Sequence, residues 1–86
     1  MPTLATVAGM AILIYYDDHE PAHFHIRGAN FRAKVAIGDL SVLAVIGRMR
    51  PAEINAVRRW ARSHQSDLWA NWRRAQRLEP LQKIVD

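Results

Sequence analysis

Cysteine is absent from the 86 residues, and glycine and proline number only four each. Without cysteine, neither a disulfide framework nor a thiolate zinc site can hold the chain together, and a reducing compartment suits it. The scarcity of glycine and proline excludes collagen-like, linker and low-complexity chains. Long hydrophobic runs are missing too. The N-terminal apolar stretch is interrupted by Thr3, Thr6 and Gly9 and stops at Tyr15-Tyr16-Asp17-Asp18, too short to span a bilayer. It carries no basic leader, so no signal peptide is expected, and the chain is expected to be cytoplasmic with no membrane partner. Phosphate-binding loops, dinucleotide glycine fingerprints and serine nucleophile elbows are missing as well, and no cofactor is expected.

What is present fits one small domain spanning residues 1–86. Half the residues are hydrophobic, and three tryptophans add large buried areas. A chain of this length buries only about 60–65% of its unfolded surface, so its core is thin. The net charge of +4 is unevenly placed. Residues 1–47 hold three basic and four acidic groups, whereas residues 48–86 hold nine basic and four acidic ones. Such a bias suits either a polyanionic or acidic partner or a solvated arginine-rich helix face.

The first half reads as strands within residues 4–47. Met10–Tyr16 is an apolar run rich in Ile and Tyr, bounded by Gly9 and Asp17-Asp18. His23–Arg27 alternates, with Phe24 and Ile26 on one side and His23, His25 and Arg27 on the other. Gly28-Ala29-Asn30 reads as a hairpin loop, because Gly and Asn tolerate positive φ. Phe31–Ile37 alternates again, with Arg32 and Lys34 outward. Gly38-Asp39 makes a further turn before a strand at Ser41–Ile46.

The second half reads as one long amphipathic helix from Pro51 to about Leu78, with Pro80 as its stop and residues 79–86 as a tail. Steps of 100° gather Ile54, Val57, Trp60, His64, Leu68 and Trp72 on one arc. Arg58, Arg59, Arg62, Arg73 and Arg77 fall opposite. A break near Ser63–Ser66 is compatible with the pattern but not required by it. The predicted architecture is α+β in two layers: an antiparallel sheet of about four strands, then one helix covering its apolar face. A bare edge strand would favour a homodimer or a partner strand. With one substantial helix there is no helix-turn-helix DNA reader.

Chemistry, where the chain has any, centres on His19–Arg27. Three of the four histidines fall within seven residues. His23 and His25 are two apart, so a strand points both to one face, and Arg27 continues that row. Across the hairpin, Arg32 and Lys34 join the same face. Three readings compete. The histidines could hold a metal, with His19 or a nearby carboxylate as third ligand. They could work as acid and base on a phosphodiester, His19, His23, His25 and Arg27 being catalytic and Arg32 and Lys34 stabilising phosphate, as in a metal-independent ribonuclease. They could also be structural groups or partner contacts. The helix adds a candidate nucleic-acid surface of Arg59, Arg62 and Arg73, with Trp69 projecting among the arginines either as a stacking ring or interface anchor or as a cover for the sheet margin or the C-terminal tail. Of Tyr15 and Tyr16, one should approach the histidine face.

The run Tyr15-Tyr16-Asp17-Asp18-His19-Glu20-Pro21-Ala22-His23-Phe24-His25-Ile26-Arg27 resembles the signature of a small prokaryotic family, the domain of unknown function labelled four-one-six-zero. Pro2-Thr3, Ala33-Lys34-Val35, Trp60 and Trp72 also fit its pattern, so the resemblance covers almost the whole chain. Ala22 departs from it, standing where many members carry a second proline. Members are often encoded next to another small family of unknown function, labelled two-four-four-two, in pairs that look like toxin–antitoxin modules. The resemblance therefore implies one component of such a module, with a small cognate protein encoded nearby as partner and RNA as a candidate target. His19, His23 and His25 are the residues carried over. The alternative is a non-catalytic binding module, antitoxin-like or a nucleic-acid-binding regulator, or a histidine-based metal-binding domain.

Overall fold

The alternation at residues 23–36 builds the centre of the sheet. In the computed structural model, which describes residues 3–85, β3 (His23–Arg27) pairs antiparallel with β4 (Phe31–Ala36), joining Phe24 to Val35 and Ile26 to Ala33. These inward side chains are buried, as are Ile12 and Phe31. Full burial of each large one stabilises the fold by about 1.5–3 kcal/mol. The hairpin loop is Gly28-Ala29-Asn30, as expected, closed by the Gly28 N–H donating to the Phe31 carbonyl at 3.0 Å.

Five strands form one antiparallel meander, β1 (Ala5–Val7), β2 (Met10–Leu13), β3, β4 and β5 (Val42–Gly47), each beside its sequence neighbour. The sequence led us to expect about four. The additional strand is β1, whose three residues are too short to show alternation. It pairs through a two-residue turn at Ala8 (φ 49°) and Gly9 (φ 81°), with Val7 opposite Met10. Positive φ at both central positions matches the twist of the flanking strands. The apolar run expected through Tyr16 leaves the ladder after Leu13.

The expected single helix is two, α1 (Pro51–Ser63) and α2 (Gln65–Gln76). His64 breaks it, with φ −127° and ψ 21°. Neither glycine nor proline marks the place, and the apolar arc continues across it. The bend has a tertiary anchor: Gln65 Nε2 donates to the Ile37 and Gly38 carbonyls, tying the junction to the turn after β4. α1 buries Val57 and Ala61, and α2 buries Leu68, Asn71, Trp72 and Ala75. Pro51 opens α1, where the Glu53 carboxylate accepts the Arg50 N–H at 2.8 Å. α2 stops two residues before the expected end: Leu78 takes a left-handed φ of 58°, and the Glu79 N–H turns back to the Arg74 carbonyl.

The tail docks on its own domain. Buried Asn71 donates to the Gln82 carbonyl and accepts the Gln82 N–H, each at 2.9 Å. The Ile84 N–H then donates to the Leu4 carbonyl at 2.8 Å, alongside the β1 edge of the sheet. At the other edge β5 carries exposed Leu43, Val45 and Ile46. Gly47 ends it with φ 94°, and a Cβ there would stand 2.3 Å from the Asn30 carbonyl oxygen, so this close approach requires glycine.

Candidate functional site

β3 presents His23, His25 and Arg27 toward one face because successive side chains alternate. Across the ladder, His25 lies opposite Lys34 and Arg27 opposite Arg32. Arg27, Arg32 and Lys34 are exposed, and among the described residues none has a carboxylate within ion-pair distance. The expected juxtaposition of histidines and cations therefore exists. Its two halves differ in burial.

His23 is only 4% exposed. The chain after β2 folds back over it and is latched to the end of α2. The Asp17 N–H donates to the Ala75 carbonyl at 3.3 Å, and Gln76 Nε2 donates to the Asp18 carbonyl at 3.1 Å. α2 also lays the Trp72 ring 5.4 Å from that of His23. This latch carries the Asp18 carboxylate into the histidine pair. Asp18 Oδ2 lies 3.0 Å from His23 Nε2 and 3.0 Å from His25 Nε2. The His25 ring is flanked by Tyr15 at 4.2 Å and His23 at 4.9 Å, so Tyr15, not Tyr16, is the tyrosine on this face.

The hydrogen bonds define the state of each ring. His23 Nδ1 donates to the Pro21 carbonyl at 2.7 Å, which leaves a lone pair on Nε2 in the neutral ring. That buried Nε2 makes no hydrogen bond. His25 Nε2 donates to Asp18 Oδ2. Burial pushes the Asp18 carboxyl up, but the bond from His25, the His19 N–H and the neighbouring imidazoles outweigh it and hold it below the ordinary 3.8. Burial pulls the His25 ring below its ordinary 6.5, with Asp18 opposing and His23 and Lys34 reinforcing.

The other candidate residues are dispersed. His19 is exposed, and it is its backbone N–H that joins the site, donating to Asp18 Oδ1 at 2.8 Å. His19-Glu20-Pro21-Ala22-His23 has the letters of the helical His-Glu-x-x-His zinc motif. That motif works because residues four apart share one helix face. Here His19 and Glu20 lie in a loop and His23 opens a strand, so the letters do not make the motif. Arg59, Arg62 and Arg73 are exposed on the helices. Trp69 is half-buried, packs against the core and lies 3.9 Å from the Cβ position at Gly38, in keeping with the covering role that the sequence also allowed. The register of α2 turns it toward the turn after β4. Asp18 is the residue that sequence reasoning left unnumbered. Its signal was a carboxylate five residues before the His-x-His pair.

Beside His25, a depression of about 210 Å³ is lined by Tyr15, His25, Arg32, Lys34, Ala44 and Ile46. A wider one of about 530 Å³ lies away from the histidines, between the hairpin loop and the start of α1, and includes Arg48 and Arg50. No helix among the described residues is long and apolar enough to cross a membrane.

A five-stranded meander backed by two helices, with an Asp-His-His cluster at one end of its central hairpin, defines the class of domain. The chain belongs to the family described as Domain of unknown function (DUF4160), which it matches over residues 9–73. No curated protein and no solved structure matches it.

Proposed function

We propose that this protein is the binding component of a two-protein, toxin–antitoxin-type module and that it acts without catalysing a reaction. The observation that carries this reading is the open edge strand β5 beside an uncompensated cationic row. Ile46 is 75% exposed, Leu43 and Val45 are exposed with it, and Arg27, Arg32 and Lys34 line the adjoining face. Soluble proteins usually blunt such an edge with charge, proline or a covering segment. Here the β1 edge has the chain's own tail beside it, whereas β5 carries apolar side chains at its tip. Apolar and cationic groups together suit an acidic protein segment that adds as a further strand, main chain giving affinity and side chains specificity. The small cognate protein implied by the family resemblance is the occupant we infer.

The ribonuclease reading fares less well. Acid–base cleavage needs imidazoles offered to the phosphodiester. His23 is buried, and His25 is held by its Nε2 bond to Asp18, which leaves one partly buried imidazole rather than an offered acid–base pair. Co-expression of the chain with its encoded neighbour, followed by co-purification, tests the proposal. A stable complex is expected with the wild type, and Ile46→Lys and Arg32→Glu should each abolish it while the isolated chain stays folded. A complex unaffected by both variants would overturn the assigned surface. Salt-sensitive RNA binding lost in Arg27→Ala/Arg32→Ala/Lys34→Ala, with no protein complex, would instead assign the face to RNA. Growth arrest and RNA loss on induced expression, abolished by His23→Ala/His25→Ala, would restore the ribonuclease.

A further inference from the structure

We propose that Asp18 Oδ2, His23 Nε2 and His25 Nε2 form a binding site for one divalent transition-metal ion of the zinc class. The three donor atoms lie within 4.8 Å of one another, and Asp18 Oδ2 is 3.0 Å from each imidazole nitrogen. Donors about 2.1 Å from a shared ion stand about 2.9–3.4 Å apart, from octahedral to tetrahedral arrangement. The two carboxylate–imidazole spacings fall in that range.

The second and independent observation is the orphaned His23 Nε2. It is buried and without a hydrogen bond. With Nδ1 donating to the Pro21 carbonyl, Nε2 offers only a lone pair in the neutral ring, and it sits 3.0 Å from the carboxylate oxygen without making a hydrogen bond. Unmade hydrogen bonds in buried groups cost about 1–3 kcal/mol. A cation between His23, His25 and Asp18 removes the conflict, since all three then donate electron pairs to it. The Pro21 carbonyl behind His23 also plays the part of the outer partner that orients a ligating imidazole.

Two imidazoles and one carboxylate form a borderline donor set that suits zinc, nickel, cobalt or ferrous iron better than calcium or magnesium. Three protein donors leave at least one position for water. Asp18 lies on the latched loop and the histidines on β3, so the ion ties the loop to the sheet. Lys34 stands opposite His25 and opposes the ion's charge, but its side chain is exposed and solvated.

The test uses untagged full-length protein, stripped with a chelator and titrated with Zn²⁺ by calorimetry. One equivalent is expected to bind. Loss of an outer-shell partner alone weakens metal sites about 10–100-fold, so Asp18→Asn and His25→Gln should each weaken binding by about a hundredfold or more. His19→Ala should leave it unchanged. Nitrogen NMR of the wild-type histidines decides the matter even where a variant unfolds: zinc should shift the His23 and His25 ring resonances and leave those of His19 and His64 in place. Failure of Zn²⁺, Co²⁺ and Ni²⁺ to bind the folded chain would overturn the proposal. So would zinc-induced shifts confined to His19 or His64. Zinc binding is read on the isolated chain and complex formation by co-purification with the neighbour, so the two readings fail separately.

Discussion

The two ends of the β3–β4 hairpin share one strand pair and one outward face, yet they have opposite fates. At the His23–Ala36 end, the Asp17–Pro21 loop, Trp72 and Gln76 close over the imidazoles. At the Arg27–Arg32 end the side chains stay exposed, with like charges directly opposite each other. Cross-strand like-charge pairs destabilise a sheet by up to about 1 kcal/mol. Alternation decides which face a residue takes. Whether that face is open is decided by what the flanking chain lays over it. The covered end is suited to holding an ion or proton, and the exposed end to meeting a partner.

The largest effect should come from opening the covered end. Trp72 is buried against the core and beside His23. Trp72→Ala is expected to cost about 3–5 kcal/mol, a large share of the stability of a domain this small. Denaturant unfolding measures it. Arg32→Ala at the exposed end should stay within about 0.5 kcal/mol. Equal costs at the two ends would break the comparison.

Next in size is the latch on the tail. Asn71→Ala removes the side chain that satisfies both the N–H and the carbonyl of Gln82. The expected cost is about 2–4 kcal/mol, one to two unmade hydrogen bonds of a buried site. Hydrogen exchange should rise selectively at Gln82 and Ile84, with the β3 amides protected as before. Uniform loss of protection would mean that the tail is part of the global folding unit.

A smaller and opposite effect is expected at the exposed end. Arg32→Glu replaces a like-charge pair with Arg27 by an attractive one, and the isolated chain should gain about 0.2–1 kcal/mol. The same change should abolish partner binding. Stability gained with binding lost is the signature of a surface kept cationic for recognition. A loss of stability would show that the arginines are structural.

Much of the fold was legible in the sequence, and the reasons for the rest are particular. β3, β4 and their loop follow from two strict alternations joined by Gly28-Ala29-Asn30. The three residues of β1 are too few to carry a period, and only the positive φ at Ala8 and Gly9 betrays the turn. The break at His64 is invisible because it depends on Gln65 bonding to Ile37 and Gly38, 28 and 27 positions away. For the site, the shared face of His23 and His25 was readable from their spacing. The burial of His23 and the choice of Asp18 over His19 were not, because both depend on how α2 holds the loop.

The smallest effect tests the turn after β4, which helps close the covered end. The Ile37 N–H donates to the Ala22 carbonyl there, and Arg58 Nε donates to the Leu40 carbonyl. Within this turn Asp39 Oδ1 accepts the Ser41 N–H at 3.0 Å and the Ser41 hydroxyl at 2.7 Å. Those bonds favour the carboxylate, and they hold Asp39 below its ordinary 3.8 despite a small opposing effect of burial. A carboxyl group lowered on folding adds stability above its unfolded value, and that stability is lost as pH falls through the folded value. The Asp39 contribution should therefore be complete above about pH 4–5 and fade below 3.8. Carboxyl-carbon NMR should place its midpoint below 3.8, and Ser41→Ala should move that midpoint up by removing the hydroxyl donor while keeping the N–H. An unmoved midpoint would mean that the backbone bond alone holds the turn, and that the hydroxyl contributes nothing to closing this end of the sheet.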